Sequence, residues 1–206
     1  MQPIETIVFD LGGVLIDWNP AYLYRKIFDD EAAIHDFLTR ICTGKWNEQQ
    51  DAGRPLAEAT RILVAQFPEY RTEIQAYYGR WTEMLGGPIA GTVQLLESLH
   101  ARQSQRLYAL TNWSAETFPH ALERYEFLQR FAGILVSGEE KLIKPDPRIY
   151  ALLLERYAIR PETALFIDDN PANVAGARES GMQAIHFHSP EQLHLEMAAL
   201  GLLPGA

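Results

Sequence analysis

Four strand ends read from this chain of 206 residues each present side chains able to bind or move charge. Ile7-Val8-Phe9 delivers Asp10 into Leu11-Gly12-Gly13. Glycine has no side chain and tolerates positive φ, so such a loop lets the backbone approach a phosphate or a metal closely; an aspartate that merely starts a turn fits the same residues. Tyr108-Ala109-Leu110 ends at Thr111-Asn112, a hydroxyl and an amide that can hold phosphate oxygens or, more simply, cap a following helix. Lys144 precedes Pro145-Asp146-Pro147. A stiff backbone there presents an ammonium able to neutralise both a carboxylate and a phosphoryl group in transfer, although a lone surface lysine fits as well. Leu165-Phe166-Ile167 ends at Asp168-Asp169, adjacent carboxylates whose repulsion a hard divalent cation would remove, or which could open the helix near Ala172. Each signal alone has a plain structural explanation; their shared placement at strand ends points to one site.

The elements that must position these groups alternate. Strand-like runs at Thr6–Phe9, 107–110, 134–136, 164–167 and 184–187 are interleaved with helix-like stretches at 92–102, 115–125, 147–157 and 172–180. This rhythm predicts an α/β fold, a doubly wound, Rossmann-like parallel sheet whose ligands sit beyond the carboxyl ends of the strands. From about 20 to 85 the rhythm breaks, and apolar residues such as Leu23, Ile27, Ile34, Phe37 and Ile41, then Ile74, Tyr77, Tyr78 and Trp81, fall at helical spacing. The division expected is a core of residues 1–17 and 88–206 with an inserted helical module at 18–87. Asp17-Trp18-Asn19-Pro20 and Gly86-Gly87-Pro88 flank it as turns that could act as hinges.

Composition narrows the functions. A 47% hydrophobic, 22% charged chain is that of an ordinary globular protein. A net charge of −9 without a Lys/Arg block disfavours nucleic acid, while a metal and a few placed cations can still attract a small anion. No apolar run approaches the roughly 18 residues that span a bilayer. The start lacks the basic region of a signal peptide, and the single Cys42 can form no internal disulfide. A cytoplasmic protein that avoids membranes is expected. Nothing in the sequence sets its oligomeric state.

Taken together, the four strand-end motifs resemble those of the haloacid-dehalogenase-like hydrolases, with matches spread over essentially the whole chain: Asp10 to the first, Thr111 to the second, Lys144 to the third, Asp168-Asp169 to the fourth. The helical insert is similar to the cap of the phosphoglycolate-phosphatase-like and dehalogenase-like branches. The resemblance implies that Asp10 attacks phosphorus in line and forms an aspartyl-phosphate that water hydrolyses. It implies a Mg²⁺ ion held by Asp10, the Gly12 carbonyl and Asp169, with Asp168 beside it. It implies too that Thr111, Asn112 and the amides near Leu11 and Gly12 hold phosphoryl oxygens while Lys144 balances charge, and that Asn173 supports them.

One position departs from the pattern. Most phosphatases of the superfamily carry a second aspartate two residues after the nucleophile, and here Gly12 stands there. General acid/base help is commonly worth roughly 10²- to 10⁴-fold, so its loss favours slow turnover or good leaving groups. The same arrangement occurs in a branch that looks like the bacterial α-glucose-1-phosphate phosphatases, which makes an anomeric sugar phosphate the leading class of small phosphorylated substrate. Within the insert, Trp46, Asn47, Gln50, Asp51 and Arg54 form a polar, aromatic stretch that could face the site, with Trp46 and Arg54 contacting substrate; core packing and solvent are equally good places for those two. Asp17 could be offered as a substitute acid, but its position suits a hinge. Trp113 could shape the pocket mouth; His186 and His188 have no partner at ligand spacing. Two rival functions stay open. One is a 2-haloacid dehalogenase, which needs no metal and typically lacks the paired acids. The other is a weakly catalytic phosphometabolite-binding protein.

Overall fold

The computed structural model describes residues 2–203, so positions 1 and 204–206 of the expected core lie outside the described residues. In chain order the elements are β1 (Thr6–Phe9), β2 (Ile16–Trp18), α1 (Ala21–Tyr24), α2 (Glu31–Arg40), α3 (Gly44–Asp51), α4 (Leu56–Gln66), α5 (Arg71–Gly79), β3 (Leu85–Pro88), α6 (Ala90–Arg102), β4 (Arg106–Thr111), α7 (Phe118–Arg124), β5 (Gly133–Val136), α8 (Ser137–Glu140), α9 (Pro147–Arg156), β6 (Ala164–Asp168), α10 (Pro171–Glu179), β7 (Gln183–His186) and α11 (Pro190–Ala199).

Five strands form one parallel sheet in the order β5-β4-β1-β6-β7. β1 is central and every one of its residues is buried, which a short run of Thr, Ile, Val and Phe with helices on both faces requires. Alternate side chains serve opposite layers. Ile7, Phe9, Leu107, Ala109, Leu165 and Ile167 pack into one cluster with Leu96, Leu99 and Leu193, whereas Val8, Tyr108, Leu110 and Phe166 pack with Ile149, Tyr150 and Leu153. The chain leaves β1 for β4 and β5 on one side and returns for β6 and β7 on the other. The order therefore reverses beside β1, and the crevice that such a reversal opens lies at the carboxyl ends of β1, β4 and β6.

Every element between β2 and β3 is helical. Thr43 and Asp30 cap α3 and α2 by accepting from the amides of Trp46 and Ala33. Aromatic rings fill the interior: Tyr24 lies 4.7 Å from Phe37, and Trp46 5.1 Å from Tyr77. Among the described residues no helix is long and apolar enough to cross a membrane.

Three local expectations change. The flanks read as turns pair instead as an antiparallel ribbon, Ile16 opposite Pro88 and Asp17 opposite Gly87; Gly87 at φ +118° supplies a conformation other residues resist. Asp17 belongs to this ribbon and accepts a hydrogen bond from the Tyr22 hydroxyl at 2.7 Å. The 115–125 helix starts only at Phe118, because residues after Ser114 turn back onto its carbonyl and Pro119 suits a first helical turn. Helix α11 had no sequence expectation, although Ser189 followed by Pro190 marks its start: Ser189 accepts from the Gln192 amide.

Candidate active site

Asp10 follows β1 directly. Its amide donates to Ile167 O at 2.8 Å, so the sheet's own pairing fixes where the carboxyl points. Lys144 is 2% exposed and its ammonium has three oxygen partners: Leu110 O at 2.9 Å, Asp10 Oδ1 at 3.0 Å and Asp168 Oδ2 at 2.7 Å. A buried ammonium with that many acceptors is satisfied, and it ties the ends of β1, β4 and β6 together.

The loop that carries Lys144 is clamped by Asn112. Its Nδ2 donates to Lys144 O at 3.0 Å and its Oδ1 accepts from the Lys144 amide at 2.8 Å, so both ends of the amide are engaged in positioning the lysine. Asp168 is fully buried and equally occupied. It accepts from Lys144, from the Asn170 amide at 2.8 Å and from Asn173 Nδ2 at 3.0 and 3.1 Å. Thr111 is buried at the end of β4. The Leu11 amide donates to Asp10 Oδ1 at 2.7 Å. Asp169, by contrast, is exposed, and His186 meets its carbonyl rather than its carboxylate at 2.9 Å.

Oxygens of Asp10, Asp168 and Asp169 all lie within 4.8 Å of one another. Three hard oxygen donors at that spacing suit a divalent cation such as Mg²⁺. Gly13, at φ +73°, makes room for the set, since a Cβ there would collide with the Asp169 carboxylate. The electrostatics agree. Burial pushes the Asp10 carboxyl up to about 8 against the pull of Lys144, with Asp168 adding to the rise. Burial and Asp168 likewise raise Asp169. Burial works against the Lys144 charge, yet Asp10 and Asp168 together hold its pKa above the ordinary value. One lysine does not offset three crowded carboxyls, and a cation would.

Above this cluster, on the side of the helical module, lies a cavity of about 80 Å³ lined by Gly12, Trp18, Asn47, Asp51, Tyr78, Trp81, Asn112, Trp113, Ser114 and Thr117. Asn47 and Asp51 reach it from α3; Trp46 and Arg54 do not. Trp46 packs on Tyr77 and Tyr78, and Arg54 donates to Gln50 Oε1 at 2.7 Å and to Gln49 within the module. Positions 47 and 51 are one turn apart on α3 and bonded to each other, Asn47 Nδ2 donating to Asp51 Oδ2 at 2.9 Å, while 46 and 50 lie buried against Tyr77 and Tyr78 of α5. Ser137, at the end of β5, escaped the sequence reading. Its hydroxyl donates to Asp51 O at 2.6 Å and accepts from the Trp113 amide at 2.9 Å, and Glu116 accepts from the Leu56 amide at 2.8 Å, so the module is fastened across the seam. The polar residue directly after β5 was the available signal.

Comparison with known proteins accords with this geometry. The family model described as haloacid dehalogenase-like hydrolase matches residues 4–181. The chain is 30% identical over 183 residues to a sesquiterpene phosphatase of Aspergillus oryzae, covering 89% of each protein. It is 26% identical over 190 residues to a phosphorylated carbohydrates phosphatase of Thermotoga maritima, covering 89% of this chain and 84% of that protein. A family enzyme of Bacteroides thetaiotaomicron, solved with magnesium and inorganic phosphate, has a similar fold at TM-score 0.67 and 22% identity, over 90% of this chain and 95% of that one.

Proposed function

The chain belongs to the haloacid dehalogenase-like hydrolases, and on that premise we propose that it is a magnesium-dependent phosphatase that cleaves a small phosphorylated metabolite by way of a phosphorylated Asp10. The observation that carries this reading is the single ammonium of Lys144 held at 3.0 Å from Asp10 and 2.7 Å from Asp168, with Asp169 in reach of the same point. Lys144 and the Leu11 amide share Asp10 Oδ1, so Oδ2 would be the attacking oxygen. That leaves an oriented nucleophile. Its Oδ attacks phosphorus, the bond to the leaving oxygen breaks, and water then cleaves the acyl phosphate.

Magnesium, when bound, supplies positive charge against the phosphoryl oxygens and the carboxylates. Asp10, Asp169 and the Gly12 carbonyl would hold it; Asp168, already committed to Lys144, Asn170 and Asn173, acts as the anchor behind them. Thr111 and the Gly12 amide would receive phosphoryl oxygens. Asn112, bonded at both ends of its amide to the Lys144 backbone, would keep the lysine where charge develops. Residues 18–87 would form the cap, with the β2–β3 ribbon as its hinge.

For the organic part of the substrate, an anomeric sugar phosphate is supported by the cavity. Trp18, Tyr78, Trp81 and Trp113 offer flat apolar faces, Asn47, Ser114 and Thr117 offer hydrogen bonds, and this mixture suits a compact ring with hydroxyls. Its volume is well below the ~300–1,000 Å³ of drug-sized ligand sites, which weighs against a long hydrocarbon chain. A cytoplasmic setting completes the proposal, supported by the one cysteine being a buried thiol.

The experiment is phosphate release from a panel of sugar, acyl and nucleotide monophosphates, with Mg²⁺ and with chelator. Release is expected with Mg²⁺ alone and is expected to vanish in Asp10→Asn. Activity that survives the chelator or Asp10→Asn would contradict the reading, and halide release from 2-haloacids under chelator would favour the dehalogenase instead.

A further inference from the structure

Expelling an alkoxide from phosphorus without a proton is slow, so a phosphatase site needs an acid near the leaving oxygen. The carboxyls of the strand-end cluster are committed elsewhere: Asp10 is the attacking group, Asp169 would hold the metal, and Asp168 is saturated by Lys144, Asn170 and Asn173. Gly12 offers no side chain, and a Cβ built there would meet nothing within 4 Å. The space where an acid could stand is open, and it is continuous with the cavity that Gly12 itself helps to line.

Only one residue lining that cavity bears a carboxyl, and it comes from the opposite wall. We propose that Asp51 is the general acid and base of the reaction, reaching the leaving group from the helical module in place of a carboxylate on the loop after β1. This rests on the phosphatase reading above and names a catalytic residue within it. Asp51 closes α3, and its position is fixed from both sides of the seam. Asn47 Nδ2 donates to Asp51 Oδ2 at 2.9 Å, the Ser114 backbone also bonds the carboxyl, and Ser137 holds the Asp51 carbonyl at 2.6 Å. Among the described residues it makes no ion pair.

Its surroundings favour the protonated form. Burial pushes the carboxyl up to about 7 against the Ser114 bond, and Glu48 adds to the rise. Tyr77 and Tyr78 face it from α5, both held neutral. Lys141, from the end of α8, packs over Gly53 two residues on. An acid that titrates near neutrality is suited to give a proton and take one back.

The step balances. The Asp10 carboxylate bonds to phosphorus as the P–O bond to the alcohol breaks; the departing oxygen takes the Asp51 proton and leaves as neutral alcohol. Asp51, now carboxylate, takes a proton from the water that attacks the acyl phosphate. Inorganic phosphate departs, and both carboxyls return to their starting states.

The test compares wild type, Asp51→Asn and Asp51→Glu on β-glycerol phosphate, whose leaving alcohol needs a proton, and on p-nitrophenyl phosphate, whose leaving group does not. For Asp51→Asn, kcat/KM on glycerol phosphate is expected to fall about 10²- to 10⁴-fold and on the aryl ester less than about tenfold. The aryl ester should then show a burst of nitrophenol as phosphoenzyme accumulates. The wild-type fall in kcat/KM on glycerol phosphate above about pH 7 should disappear in Asp51→Asn. Asp51→Glu should recover part of the loss, and Gly12→Asp added to Asp51→Asn should recover it from the other wall. Equal losses on the two esters, or no loss, would overturn the role of Asp51 while leaving the phosphatase intact. Wild type inert on both esters with Mg²⁺ would overturn both.

Discussion

The two walls of the site are built on different principles. The floor, at the ends of β1, β4 and β6, is made of groups that bind one another: Lys144 joins Asp10 to Asp168, Asn112 clamps Lys144, and Asn173 holds Asp168. The roof, on α3 and α5, has Asn47 and Asp51 reaching toward the floor from a packed aromatic interior, and it is joined to the floor by the Ser137 and Glu116 hydrogen bonds. A network whose members bind one another fixes the positions of its charges; a wall attached by a few bonds across a seam can vary its side chains and so set which substrate is accepted. On the proposed reading the floor carries the attack on phosphorus, while the roof carries substrate choice and, through Asp51, the proton that the leaving group takes.

Removing the lysine should break the floor hardest. Lys144→Met leaves Asp10 and Asp168 buried without their counter-charge, so activity should drop by at least about 10³-fold and stability by about 3–5 kcal/mol, read by phosphate release and urea unfolding. An active, stable Lys144→Met protein would show that the floor is not one unit. Next is Gly13→Ala, where the new methyl would press on the Asp169 carboxylate at a positive φ. Mg²⁺ affinity, measured by titration calorimetry, should weaken about 10- to 100-fold, with no comparable change in the affinity of the roof for inhibitors lacking phosphate.

Most of the floor was legible in the sequence, because a buried parallel strand is a nearly continuous apolar run, and the polar residue that ends it lies by construction in the crevice. Asp10, Thr111 and Asp168 could be placed this way, and the sheet that carries them is the one expected; Lys144, read as a fourth strand end, lies instead in the loop between α8 and α9, beyond β5. The roof was less legible. Helical periodicity gives two faces without saying which one meets another part of the chain, so Trp46 and Arg54 could be named beside Asn47 and Asp51 while only the latter pair lines the cavity. The β2–β3 ribbon was hidden by its glycines, whose pairing depends on partners some 70 residues apart in sequence, as at Ile16 and Pro88.

A smaller effect separates the walls by pH. Asp51 sits at about 7 when folded, above the ordinary carboxylate value of 3.8. Between those values the unfolded chain loses the proton and the folded one keeps it, so Asp51 lowers stability progressively as pH rises from about 4 to about 7. Asp51→Asn removes that penalty and should raise Tm more at pH 8 than at pH 5, by differential scanning calorimetry. An equal shift at both would mean that the carboxyl is not held protonated by its burial. Smallest of all is Arg54→Ala, which touches only Gln49, Gln50 and the Trp46 carbonyl. kcat/KM should change by less than about threefold, the scale of a surface substitution; a large rise in KM would turn Arg54 toward the substrate.

The phosphorylated aspartate can be sought directly. Asp51→Asn, mixed with p-nitrophenyl phosphate and Mg²⁺, quenched in acid within its burst and digested, should carry one phosphoryl mass on the peptide containing Asp10, and the Asp10→Asn form of the same protein should carry none. A phosphoryl group on any other peptide, or turnover with no covalent adduct at any time point, would contradict attack by Asp10.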